Sequence, residues 1–156
     1  MRGFKALNKD LTNRYGYKYL VNKNYKLNGD LKWQQNGFHF CIRPEDTLRY
    51  VDSWSDNFVV TEIEANGELE LYEDDYYGYY DMYVSSEMKI LRVLSREELF
   101  EMVFNSNNVD RVKRLASSIV LTQDEIDLIK DVYPLAISTI EYYQTKEMIL
   151  KLKNRS

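Results

Sequence analysis

The only histidine and the only cysteine of this chain, His39 and Cys41, stand two residues apart. On an alternating strand both side chains leave by one face, where an imidazole can lower a thiol's pKa and prepare a nucleophile. Same-face neighbours on a strand sit roughly 7 Å apart at Cα, too far for a tight ion pair. No second His or Cys exists to complete a metal site. Packing roles are therefore expected for both residues, with no metal and no cofactor; with Tyr50 they are also the candidate pocket or contact residues of this stretch. The second unusual stretch, YEDDYYGYYDMY at 72–83, sets four acids and six tyrosines around one glycine. Its spacing departs from the calcium-loop pattern. An exposed acidic loop is expected, with Tyr76, Tyr77, Tyr79 and Tyr80 as candidate protein contacts, since tyrosine adds contact area at low entropy cost. Gly-rich phosphate loops, G-x-S-x-G elbows and H-E-x-x-H pairs are absent from the sequence.

The elements that must carry these residues follow from periodicity. Phe4–Leu7 and Tyr17–Val21 alternate as strands, and Asn28-Gly29-Asp30 is turn chemistry. Gly37–Ile42 alternates again, with Phe38, Phe40 and Ile42 expected on the core face and His39 and Cys41 opposite. Pro44, Glu45 and Asp46 suit a helix start. Thr47, Tyr50, Val51 and Trp54 then mark one face of a helix over about 44–54. Phe58–Ile63 predicts a strand, Asn66-Gly67 a hairpin turn, Glu68–Tyr72 the return strand and Met88–Leu94 a last strand.

From Ser95 the period becomes helical. Ser95–Glu98 and Thr122–Glu125 are capping boxes, and Val112, Leu115 and Ile119 share a face. A final helix is expected from about Pro134 to Lys153, with stripes at Ile126, Ile129, Tyr133 and at Ile140, Met148, Leu152. Strands first and helices after predict an α+β protein. It would have a twisted, mostly antiparallel sheet with one inserted helix over 1–94 and a helical extension over 95–156 packed on it as one unit. The terminal helix is expected to pack within the chain rather than self-associate, so monomer and weak homodimer both stay open.

Composition bounds the rest. A chain of 156 residues can bury roughly 70% of its unfolded surface as one domain. Fourteen tyrosines favour sheet. A single cysteine makes no internal disulfide, and no apolar run reaches membrane-spanning length, so a cytoplasmic protein is expected. Residues 1–49 carry ten Lys/Arg and four acids, residues 50–88 carry eleven acids and no base, and the remainder is nearly balanced. The acidic middle repels nucleic acid, and the basic part lacks dense cation clusters. A protein partner is the expectation, without nucleic acid or membrane.

G-F-K-A-L-N-K-D-L at 3–11, G-Y-K-Y at 16–19 and N-G-F-H-F-C-x-x-P-x-D at 36–46 resemble a small uncharacterised domain of bacteriophage and bacterial mobile-element proteins. The same segments are similar to the region preceding ankyrin repeats in some giant-virus proteins. The resemblance covers about residues 3–100 and implies a setting, not a chemistry. A looser likeness, to ADP-ribosyltransferases, rests on the Gly-aromatic strand and following helix that end at Tyr50. It implies NAD binding, an early-strand His or Arg and a late catalytic Glu; here the first strand offers Lys5, and Glu62 and Glu64 follow on a later one. The leading expectation is a non-enzymatic protein-interaction module, with the NAD-binding transferase as its alternative.

Overall fold

The computed structural model describes residues 1–31, 36–73 and 81–155. The candidates Tyr76, Tyr77, Tyr79 and Tyr80 lie outside the described residues.

Five strands form one antiparallel sheet: β1 (Arg2–Asn8), β2 (Asn24–Lys26), β3 (Phe38–Cys41), β4 (Phe58–Glu73) and β5 (Asp81–Leu94). The long β4 and β5 pair with each other; β5 holds β3 and β2 along its other edge, and β4 holds β1. One register pair, Phe4 with Cys41, joins β1 to β3 and closes the circuit β1–β4–β5–β3. Gly3 permits that closure. A Cβ there would sit 2.4 Å from the Phe40 ring and 2.8 Å from the Cys41 carbonyl oxygen.

All five strands feed one core cluster, which contains Leu7, Tyr25, Phe40, Ile63, Ala65, Met88 and Ile90, with Tyr19 from the loop before β2. Rings dominate it: Tyr19 meets Tyr25 edge-on at 5.1 Å, and Phe40 stacks on Tyr83 at 5.5 Å, the offset and T-shaped arrangements that ring quadrupoles favour. The tyrosine excess noted in the sequence is thus partly a core property.

A second cluster joins the sheet to the helices. Leu48, Val60 and Leu94 meet Leu99, Phe100 and Val103 of α1 (Arg96–Phe104), and Val112, Leu115 and Ala116 of α2 (Val109–Ala116). Ile129 of α3 (Gln123–Val132) and Ile140 of α4 (Ile137–Tyr143) also belong to it, with Ile119, Leu121, Tyr133 and Ala136. Both expected capping boxes form, at Ser95 with Glu98 and at Thr122 with Glu125. The protein is α+β, and among the described residues no helix is long and apolar enough to cross a membrane.

Several expectations give way. Tyr17–Val21 is not a strand: only isolated bridges occur, Thr12 with Lys18 and Val21 with Ile90, because Tyr19 turns into the ring cluster. Asn66-Gly67 is not a hairpin end, since β4 runs through it. Pairing shifts by one residue between Asn66/Leu69 and, in compensation, between Glu62/Ile63. Gly67 supplies the positive φ of 75° that such a bulge needs, and Ser86 Oγ accepts the Glu68 amide at 2.8 Å. The helix after Pro44 is a 3-10 helix ending at Tyr50, not an α-helix reaching Trp54. The Thr47 hydroxyl donates to the Pro44 carbonyl three residues back at 2.7 Å, which suits the tighter coil.

The last helix is broken into a 3-10 turn (Pro134–Ala136), α4, and α5 (Lys146–Lys153). The break falls where Thr145 caps α5 and Gln144 is drawn aside. The Gln144 side chain donates to the carbonyls of Ala116 and Ile119 at 2.7 and 2.8 Å and accepts the Leu121 amide at 3.0 Å. Ile42, expected in the core, is exposed because β3 ends at Cys41 and the chain turns toward Pro44.

Candidate functional site

Beyond the pair Phe4–Cys41, β1 and β3 part. β1 continues along β4 as far as Asn8, while β3 stays on β5. Lys5 lies at the fork and its ammonium donates to the His39 carbonyl at 2.7 Å, so a side chain serves a strand oxygen that has left its neighbouring strand. The fork opens into a cleft of about 1140 Å³.

The loop after β1 forms one wall. Asp10 accepts from both the amide and the hydroxyl of Thr12, at 3.1 and 2.5 Å, and Asn13 Oδ1 accepts the amides of Tyr15 and Tyr17, at 2.9 and 3.0 Å. These local side-chain bonds shape the loop at the cost of strand pairing. They place Arg14, Tyr15 and Tyr17 along the cleft, where the Arg14 guanidinium lies 4.8 Å from the Tyr15 ring centre. Lys26 and Asn28 line another side, and Arg49, Tyr50 and Asp52 come from the end of the 3-10 helix. His39, Cys41 and Tyr50, singled out from the sequence, all border this one cleft.

The two chemistry-bearing residues of β3 are not armed for nucleophilic work. Burial pushes the Cys41 thiol up to about 12, with the Asp46 charge adding to it, so the thiolate is scarce at neutral pH. Burial and then the nearby Lys5 ammonium hold the half-buried His39 ring below its ordinary value, and the ring also meets the Gly37 backbone. A neutral imidazole and a protonated thiol are the reverse of an activated pair. Among the described residues no cluster of three or more His, Cys, Asp or Glu could hold a metal ion.

Sequence reasoning met Lys5 only as the cation that a transferase likeness finds on the first strand, not as a cleft residue. Burial lowers its pKa to about 8, leaving it mostly cationic at pH 7. Among the described residues no carboxylate forms an ion pair with it. The one available signal was a lysine inside the apolar alternation Phe4–Leu7.

Directly behind the cleft, the start of the 3-10 helix carries charge of a different kind. Glu45 and Asp46, read from the sequence as helix-start carboxylates, point inward and are 1% and 2% exposed. Arg111 grips Glu45 with two bonds, Nε to Oε1 at 2.5 Å and Nη2 to Oε2 at 3.1 Å, and Arg114 pairs with Asp46. Burial pushes Asp46 up to about 6 against the pull of Arg114. Glu62 and Glu64, the carboxylates a transferase likeness would call on, do not line the cleft, and Glu62 is taken by Arg2 and Arg92 at 3.0 and 2.8 Å.

No curated protein and no solved structure matches the chain. Residues 1–102, from β1 into α1, do match a family described as a domain of unknown function, DUF7666. With its sheet, forked seam and cleft all inside the matched span, the chain belongs to the DUF7666 family.

Proposed function

We propose that this chain is a non-enzymatic interaction module whose cleft at the β1–β3 fork receives an anionic group of a partner protein. One observation carries the reading. Among the described lining residues are four cations, Lys5, Arg14, Lys26 and Arg49, and one carboxylate, Asp52, with Glu87 reaching Lys26 at 3.8 Å from outside the lining, on a chain whose net charge is −4. A concave, locally positive surface on an acidic protein attracts anions over a range of about one Debye length. Tyr15, Tyr17 and Tyr50 around it add apolar area with polar tips, a composition suited to a recognition surface. The sequence resemblance to phage and mobile-element proteins supports a setting in the cytoplasm of a bacterial host.

Titration of the labelled protein with a poly-glutamate peptide tests this. Resonances of Lys5, Arg14 and Tyr17 should move, and the affinity should fall steeply between low and high salt. If the shifts fall elsewhere, or salt leaves them unchanged, the reading fails. The alternative, NAD binding, draws support from the same mix of cations and rings beside the Gly37–Tyr50 segment. Thermal melting with NAD separates the two, since a ligand at 100 times its dissociation constant adds about 2.7 kcal/mol. A rise of that size with NAD, absent with poly-glutamate, would replace the first reading by the second.

A further inference from the structure

The long hairpin partner β4 has two different outer edges. From Phe58 to Glu64 it is covered by β1, and the Ala65 amide donates to the Met1 carbonyl at 2.8 Å. From Asn66 onward its pairing among the described residues is with β5 alone. In an antiparallel strand half of the backbone N–H and C=O groups point away from the existing neighbour, so Asn66–Glu73 offers a row of them that no strand among the described residues pairs. Such edges are templates for another strand unless blunted.

This one is blunted selectively. Leu69 and Leu71 are 42% and 48% exposed on one face, and Glu68 and Glu70 are exposed on the other. No proline interrupts the segment, and the Gly67 bulge sits at its start instead of its middle. Among the described residues neither Glu68 nor Glu70 has an ion-pair partner. Glu64 and Glu87 add to the negative field nearby, Glu87 holding Lys26 only at 3.8 Å. Two copies pairing edge to edge would bring these carboxylates together, and like charges on facing strands repel. The edge therefore excludes its own copy and favours an oppositely charged guest.

We propose that the outer edge of β4, Asn66–Glu73, is a strand-addition site for an extended partner segment in which cationic and apolar residues alternate. Main-chain bonds would supply affinity, while Leu69 and Leu71 on one face and Glu68 and Glu70 on the other would select the partner's alternation. This surface is separate from the cleft and opposite to it in sign, so either can fail without the other.

The probe is a capped eight-residue peptide alternating lysine and valine, with a glutamate–valine counterpart and an N-methylated lysine–valine version as controls. Binding is followed by anisotropy of the labelled peptide and by amide hydrogen exchange of the full chain. The lysine–valine peptide should bind and slow exchange in residues 66–71. N-methylation should abolish binding, and the double variant Glu68→Lys/Glu70→Lys should lose at least about tenfold in affinity for it while gaining the glutamate–valine peptide. Because both glutamates are exposed, the variant should keep the parent's melting temperature. Four outcomes overturn the proposal: no binding, equal binding of the N-methylated peptide, protection confined to the cleft, or a dimer of the parent chain with residues 66–71 already protected.

Discussion

The 3-10 helix at Pro44–Tyr50 has charge on both sides, and the two sides treat it in opposite ways. On the inner side Glu45 and Asp46 are nearly inaccessible, and each is held by an arginine of α2. On the outer side Arg49 joins Lys5, Arg14 and Lys26 around a cleft with Asp52 as the opposing carboxylate among the described residues. A charge taken out of water must find its partner as the chain folds, because an uncompensated one costs several kcal/mol. For the cleft lysines carboxylates do not play that part: Lys5 is held by the His39 carbonyl at 2.7 Å and bears its burial as a lowered pKa, while Lys26 reaches Glu87 only at 3.8 Å. The inner arginines therefore compensate carboxylates that would be costly to leave alone, and the outer side is where binding is proposed. The inner pairs also cross the family boundary: both carboxylates lie within residues 1–102, and both arginines lie beyond them.

The comparison breaks most readily on the inner side. Arg111→Ala strands the Glu45 carboxylate, whose side chain is 0% exposed, and should cost about 3–5 kcal/mol. Urea denaturation followed by circular dichroism measures it; a loss under 1 kcal/mol would mean the pair contributes little. Phe40→Ala, in the ring cluster behind the cleft, should also cost about 3–5 kcal/mol, read from the same unfolding curves.

On the outer side the expected effects are on binding. Lys5 titrates near 8, lowered by burial, so it is charged below that pH and neutral above it. Poly-glutamate affinity should therefore fall as pH rises through about 8, and Lys5→Met should remove that step while lowering affinity at pH 7. For stability the sign is the reverse. A depressed lysine gives up its proton in the folded state first, so its charging penalty disappears as pH rises from about 8 toward its unfolded value, and folding gains. A binding curve flat in pH from 7 to 9 would remove Lys5 from the site. Smallest is His39→Gln, expected to cost on the order of 1 kcal/mol through a lost hydrogen bond. A change that abolished poly-glutamate binding at an unaltered melting temperature would give the ring a direct role.

Much of the fold was legible along the chain. The α+β order, the two capping boxes and the strand at Phe38–Cys41 rest on local chemistry, and each forms. The errors cluster where a distant partner decides. Asn66-Gly67 carries the strongest short-range hairpin signal in the sequence, yet the strand passes through it, because β5 is long enough to pair on both sides of the bulge. Tyr17–Val21 alternates like a strand but follows the rings of Tyr19 and Tyr25 inward. Of the candidate site, His39, Cys41 and Tyr50 were visible by type and spacing. Lys5 entered only through the transferase likeness, and Arg14 and Lys26 not at all, since nothing local to them says that two strands will diverge between them.

By itself the sequence determined what short-range physics controls: where helices begin, which residues can enter a strand, and that a single cysteine makes no internal disulfide. The tertiary structure alone decided the destination of each charge. Glu45 and Asp46 differ little from Asp52 in sequence terms, but α2 docks over the first two and delivers Arg111 and Arg114 to them, while Asp52 is left beside the cleft. The same holds for the thiol and the lysine, whose pKa values move to about 12 and about 8 because of what packs around them. Desolvation and long-range pairing depend on neighbours scores of residues away, and no local pattern encodes which neighbours arrive.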